Sequence, residues 1–411
     1  MSQPSPSPLQ SAAPDARSST TDRRQRGLGL CVALLSALFL PACGASYAGD
    51  SPPGDDVARP AFEQVLATGD GPSALATLDI NGDQRTDVAV ANGVDGTVRL
   101  YRQVDKQLQA GAQYPVGRGP AALAALALDD DNRLDLLVAN AADSTLSTLL
   151  SKGQPDGTFA PGPTLSVGEA PTTRAVGDVT GDGIDDVVVG CAGSETIVVF
   201  ENKRQGGMLT QLSTLTSLSS VRAMSLLPLD PQQPMHLDLA VARADSEEIA
   251  LFKNDGRGTF APYASRPRLP SGSTPVAMVA ANLDADGQGT VDLAVLDHSA
   301  GDLWLGLRDG AKFHGSPYHV GDKPAALAVG QLDRDSRLEL AFTDPSGERV
   351  GTLLGSADRT STPLPLVYYA LPGLPSAIAI ADIDGDTLGD LLVLSRADAQ
   401  LHFLVPQRSA R

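Results

Sequence analysis

Cysteine is scarce in this 411-residue chain: there are three, at positions 31, 43 and 191. The first two belong to a leader-like N-terminus, so Cys191 stands alone in the remainder and no intrachain disulfide can brace a fold there. It follows the apolar run Val187-Val188-Val189-Gly190 with no His nearby in sequence, the setting of a small buried hydrophobe rather than a reactive thiol. Aromatic residues make up only 4%, so the core must be built from Ala, Val and Leu. With one Trp, Trp304, a sugar-binding face lacks its usual rings. Lys and Arg total 31 against 49 Asp and Glu, a net charge of -18, which argues against nucleic acid as a partner and suits cations or basic partners. The five His, at 236, 298, 314, 319 and 402, show no metal-ligand spacing. No nucleophile elbow or Cys-His arrangement is visible, so no catalytic residue is assigned.

The N-terminus reads as a targeting segment. Residues 1–22 are rich in Ser and Pro, Arg23, Arg24 and Arg26 form a basic region, and Leu28 to Leu40 is an apolar run too short to span a bilayer comfortably. The poor fit of Gln25-Arg26-Gly27 to a twin-arginine motif favours the general secretory route. Leu40-Pro41-Ala42-Cys43 resembles the lipobox of bacterial lipoproteins, with Pro41 as a departure, and implies that Cys43 carries lipid. A plain cleaved signal with an incidental cysteine is the alternative. The expected layout is a signal peptide over 1–42, a flexible Gly/Ser/Pro/Asp-rich tether over 43–60, a folded region over 61–406 and a tail over 407–411. The expected location is the bacterial cell envelope, lipid-anchored at the outer membrane, with the side it faces left open.

What is abundant is punctuation, with 41 Gly and 30 Pro, as expected of many short strands joined by tight turns. An apolar strand opening on an acid recurs as DVAVANG at Asp87, DLLVANA at Asp135, DVVVGCA at Asp186, DLAVARA at Asp238, DLAVLDH at Asp292, ELAFTDP at Glu339 and DLLVLSR at Asp390. The interval stays between 47 and 54 residues. Each unit runs through a Gly/Pro turn, an apolar strand, an acidic loop, the strand just named and two more strands, which is the content of a four-stranded propeller blade. A solenoid would need polar capping units, and none is seen. The last unit lacks a fourth strand while Phe62-Glu63-Gln64-Val65-Leu66 precedes the first. The predicted fold is therefore all-β, a seven-bladed β-propeller closed by the N-terminal strand completing the last blade.

Before each repeated strand lies an acidic loop. The best copies place oxygen side chains at positions one, three, five and nine: Asp79, Asn81, Asp83 and Asp87; Asp178, Thr180, Asp182 and Asp186; Asp382, Asp384, Asp386 and Asp390. Calcium takes six to eight oxygens in flexible geometry, and a curled loop can turn alternate carboxylates inward while Gly permits the bend. Position seven, Arg85, Ile184 or Leu388, would add a backbone carbonyl. Repeat five keeps Asp284, Asp286 and Asp292 but has Gln288 at position five, a weaker set. Repeats two and six lack the first acid, having Ala127 and Gln331 there, and repeat four, with Gln232 and Pro234, is expected to hold no ion. About three or four structural calcium ions are expected. A solvated acidic hairpin without metal is the alternative.

These loops and blades together, with Asp156-Gly157-Thr158-Phe159 and Gly258-Thr259-Phe260, resemble the FG-GAP or VCBS repeat family, typified by integrin α-subunit propellers. The resemblance implies a seven-bladed propeller whose loops bind calcium on one face. The turns on the opposite face are then where a partner would bind. Asn92, Asn140, Arg243, Asp297, His298, Asp344 and Arg396, each at or just after the end of a repeated strand, mark that search area, with ordinary turn residues as the alternative. The functional expectation is a calcium-stabilised binding, adhesion or scaffold module for an envelope or extracellular protein. A carbohydrate-binding protein, or a polysaccharide-active enzyme on the same fold, is the rival.

Overall fold

The computed structural model describes residues 57–407 apart from 154–156, 231, 234, 285–289, 311, 335–336 and 354–365. Among them are strands and turns, with no α-helix. Seven antiparallel sheets follow one another along the chain. Blade one consists of Pro72–Leu78, Asp87–Asn92, Thr97–Val104 and Gln107–Pro115, hydrogen-bonded in that order. The pattern repeats over 120–166, 171–215, 221–262, 275–319 and 326–370, and blade seven begins at 375. Its fourth strand is Phe62–Ala67, which pairs antiparallel with Gln400–Val405 from Phe62↔Val405 to Ala67↔Gln400. The predicted closure by the N-terminal strand is thus the observed one.

Burial along a blade follows from its position. First strands line a central channel. Second strands are sandwiched between neighbouring blades on both faces, so DVAVAN, DLLVAN and DVVVGC are buried at every residue and carry continuous apolar runs rather than alternation. Fourth strands return to alternation or to solvent, as in Gln107–Pro115. In five blades the first strand opens on a proline, Pro72, Pro120, Pro171, Pro275 or Pro375, followed at once by a shift of register. A ring with no N–H to donate is tolerated at a strand's first residue.

The core is divided among the blade interfaces. One apolar cluster joins Leu75, Val88, Val90 and Tyr101 of blade one to Leu392, Leu394, Leu401 and Phe403 of blade seven, so the ring's last interface is packed like the others. The adjoining cluster joins Val98 and Leu100 of blade one to Leu123, Leu136 and Val138 of blade two. Trp304 is buried in the interface of blades four and five. Cys191 is buried as expected, and burial pushes its thiol pKa up.

The structure adds one pairing within the segment assigned to the tether. Val57–Ala58 pairs in parallel with Tyr368 and Tyr369 and gives blade six a fifth strand. Residues 57 and 58 therefore belong to the folded body. Cys43, its lipobox and the signal segment lie outside the described residues.

Candidate metal loops and the opposite turns

Each acidic loop is built around an apolar residue, at position two in five blades and just before Asp230 or Asp284 in blades four and five, where the span to the following acid is two residues longer. Ile80, Leu128, Val179, Leu229, Leu283, Leu332 and Ile383 are all buried, pinning the loop to the blade. Its N–H donates to the acid that opens the following strand. Ile80 donates to Asp87 Oδ2 at 2.9 Å, Leu128 to Asp135 at 2.7 Å, Val179 to Asp186 at 3.0 Å, Leu229 to Asp238 at 2.7 Å, Leu283 to Asp292 at 2.8 Å, Leu332 to Glu339 at 2.7 Å and Ile383 to Asp390 at 2.9 Å. In the first five blades the other carboxylate oxygen accepts a third-strand N–H, from Gln103, Ser151, Asn202, Asn254 or Arg308, at 2.6 to 2.9 Å.

The acid at position nine is therefore a clamp between loop and third strand. It persists in blade four, whose loop lacks a ligand set, because the clamp needs it. Sequence reasoning assigned this position to metal alone. The signal for the second role is an acid opening the strand in every copy, preceded seven or nine residues earlier by an apolar residue. Burial pushes the Asp87 carboxyl up to about 6 and that of Asp390 up to about 7, and the neighbouring loop carboxylates add to the rise. Asp135, Asp186, Asp238 and Asp292 are raised as well, chiefly by burial.

The three best loops share one curl. In the first, Asp79 Oδ1 accepts the N–H groups of Asn81, Gly82 and Asp83 at 3.2, 2.6 and 3.2 Å, and its Oδ2 accepts that of Gln84 at 2.7 Å. Asp178 holds Gly181 and Gly183 in the same way, and Asp382 holds Gly385, Asp386 and Thr387. The glycine at position four is left-handed in each, with φ of 76° at Gly82, 79° at Gly181 and 76° at Gly385, as the curl requires. Position five then accepts the N–H of position seven: Asp83 from Arg85 at 3.0 Å, Asp182 from Ile184 at 2.9 Å and Asp386 from Leu388 at 3.0 Å.

In the seventh loop, one carboxylate oxygen from each of Asp382, Asp384 and Asp390 lies within 4.8 Å of the others. Three hard oxygen donors converging at that spacing fit a divalent cation. The first and seventh loops line one groove of about 330 Å³ that includes Asp79 and Asp382. In blade five Asp284 is half-buried and Asp292 buried, while Asp286 and Gln288 lie outside the described residues.

Two loops without the full ligand set hold a side-chain cation instead. In blade two Arg133 forms an ion pair with Asp131. In blade four Lys253 Nζ lies 3.5 Å from Asp230.

The loops also join the blades. Gln103 Nε2 of blade one donates to the Ile383 carbonyl of blade seven at 3.0 Å, Asn202 Nδ2 to Ala127 at 2.8 Å and Asn254 Nδ2 to Val179 at 2.8 Å. Arg308 of blade five reaches the Pro228 carbonyl at 2.6 Å and also that of Leu229.

At the opposite ends of the strands, the residues marked as a partner search area have mixed fates. Asn92 and Asn140 are fully buried: Asn92 accepts the Gly69 N–H at 3.0 Å and donates to Thr97, while Asn140 donates to Thr145 and Ser147. Their amides are buried and hydrogen-bonded within the turns, a placement that strand alternation cannot distinguish from exposure. Asp297 accepts the N–H groups of Thr274 and Ser299, and Asp344 is paired with Arg349 at 3.0 Å. Arg243 is half-buried near Asp245, and His298 Nδ1 lies 3.1 Å from the Pro324 carbonyl. Arg396 is exposed. Two exposed apolar side chains share this face in adjacent blades, Val94 at 72% and Leu374 at 51% exposure.

Residues 79–138 and 128–189 match the family model described as FG-GAP-like repeat. No curated protein sequence matches the chain. Its fold is similar to that of BBS1N in complex with ARL6DN, from crystals soaked with lead, at 14% identity and a TM-score of 0.63, covering 86% of this chain and 98% of that one. The same complex soaked with mercury gives 14% identity and 0.61, with 85% and 97% covered. A Bacteroides uniformis protein whose assignment as a 6-phosphogluconolactonase is provisional gives 13% and 0.53, with 78% and 88% covered. At such identities the likeness is one of fold. This chain is a seven-bladed β-propeller whose residues 79–189 carry FG-GAP-like repeats.

Proposed function

We propose that this chain is a calcium-stabilised propeller of the bacterial cell envelope, anchored through lipid on Cys43, that offers its turn face to a protein partner. The observation that carries the calcium reading is the convergence of Asp382, Asp384 and Asp390 in a loop whose curl recurs in blades one and three. Asp79, Asn81, Asp83 and Asp87, and Asp178, Thr180, Asp182 and Asp186, would hold the other ions. Asp284, Asp286, Gln288 and Asp292 would form the weaker fourth set, with the carbonyls of Arg85, Ile184 and Leu388 as further donors. Bound calcium would neutralise crowded carboxylates and tie each loop to its blade.

The partner reading rests on Val94, Leu374 and Arg396, which leave apolar and basic surface on neighbouring turns of an otherwise acidic chain. BBS1N, of similar fold, is seen in complex with a protein. The test is retention of a defined partner from an envelope extract by the wild-type chain and by a Val94→Asp, Leu374→Asp variant. Saturable retention lost in the variant is expected. Equal retention by both, or sugar-specific binding on a glycan array, would overturn this reading. Cys43→Ala should abolish labelling by radioactive palmitate and release the protein from the membrane fraction.

A further inference from the structure

First strands from all seven blades line the central channel, a cavity of about 560 Å³. In a chain of net charge -18, the charged side chains among its lining residues are two arginines, Arg174 and Arg222, and no acid accompanies them. The other linings are neutral, Thr77, Thr173, Met224 and Met278 among them.

Arg174 donates from Nε to the Leu123 carbonyl at 2.6 Å, which leaves its two NH2 groups without a carboxylate among the described residues. Removal from bulk water lowers its pKa to about 10, and no neighbouring acid offsets that. Arg174 is half-buried, and a guanidinium so placed remains charged at neutral pH with no carboxylate beside it. Arg222, from the next blade, has neither an ion pair nor a side-chain hydrogen bond among the described residues.

Both line the one cavity from the first strands of adjacent blades, at different levels. Gly177 and Leu227 occupy equivalent places opposite Asp186 and Asp238, so Arg222 sits two residues farther from the acidic loops than Arg174 does. At about 3.3 Å per residue the offset along the strands is about 7 Å, and Arg174 leans toward blade two through its bond to Leu123.

We infer that the central channel is an oxyanion site in which Arg174 and Arg222 together hold a small anion bearing a carboxylate or phosphoryl group. Planar guanidinium forks match the oxygens of either group, and neutral walls leave that recognition unopposed.

Calorimetric titration of the full chain at low ionic strength, without added metal, tests this with inorganic phosphate, acetate and chloride as probes. Phosphate or acetate should bind saturably at one site, with chloride much weaker; whichever of the two binds tighter identifies the group. Arg222→Gln, which removes no bond to the protein, should weaken binding about tenfold or more while leaving the melting temperature in chloride unchanged. Arg174→Gln should weaken binding similarly. Equal heats from all three probes, or unchanged affinity in both variants, would overturn the inference.

Discussion

The side-chain amide of Gln64 is paired reciprocally with the backbone of Leu108: its Nε2 donates to the Leu108 carbonyl at 2.8 Å and its Oε1 accepts the Leu108 N–H at 2.9 Å. Gln64 lies in the strand that completes blade seven and Leu108 in the outer strand of blade one, so one amide bolts the chain's first long strand across the seam of the ring. Tyr101 reinforces it, its hydroxyl donating to the Ala67 carbonyl at 2.7 Å.

Gln64→Ala should therefore destabilise the propeller by about 1–2 kcal/mol, the cost of two lost hydrogen bonds at a half-buried seam. Urea unfolding gives the magnitude. Hydrogen exchange should show the Leu108 amide losing protection before those of blades three and four.

Chelation should lower the melting temperature, and added calcium should restore it in proportion to the logarithm of its free concentration, because an ion that binds only the folded chain stabilises it by mass action. An identical melt with EDTA and with calcium would refute the metal assignment. Asp384→Asn should blunt the response to calcium more than Gln232→Ala, which lies in a loop expected to be metal-free.

Asp238→Asn separates the clamp from the ion. Asp238 accepts the Leu229 and Asn254 N–H groups at 2.7 Å each, in the blade expected to lack calcium. Replacing one acceptor oxygen by an NH2 group leaves a buried donor facing a donor, so the loss should be about 1–3 kcal/mol at any calcium concentration. A loss that vanished in saturating calcium would contradict the clamp.

Stability of the metal-free protein should fall as pH rises from about 4 to about 7. Asp87 and Asp390 hold protons up to about pH 6 and 7 in the folded chain, whereas an unfolded Asp releases its proton near pH 4. Across that window the folded state binds more protons, so raising the pH favours unfolding. His402 acts in the opposite sense, since burial lowers its pKa and its contribution is lost as pH falls through about 6.5; the six second-strand aspartates with raised pKa outnumber it. Denaturant midpoints at pH 5 and pH 7.5 in EDTA should show the fall. Calcium, which requires the carboxylates deprotonated, should flatten or reverse it.

Gly315→Ala should destabilise blade five, since a Cβ there would fall 1.9 Å from Cε2 of Trp304. The indole is packed inside the interface of blades four and five and has no room to withdraw. Thermal melting should show the loss, and tryptophan fluorescence should shift toward that of a more exposed ring.

The seven-fold repeat, the four-strand blade and the need for an N-terminal strand in blade seven were all legible in the sequence, because each rests on local periodicity and on the phase of the termini. The curled acidic loops were legible for the same reason: their Asp and Gly positions lie within nine residues of one another. What only the tertiary structure decided are relations between residues distant in the chain. Gln103 meets Ile383 and Gln64 meets Leu108 because the ring closes. Asn92 turns inward to the Gly69 N–H of the turn before the first strand, and Asn140 to the Thr145 and Ser147 hydroxyls of the following strand. Arg174 and Arg222 share a channel because strands of adjacent blades converge on one axis. Period and composition record what a residue's own strand demands, whereas burial and pairing across blades depend on which strand the closed ring brings alongside it.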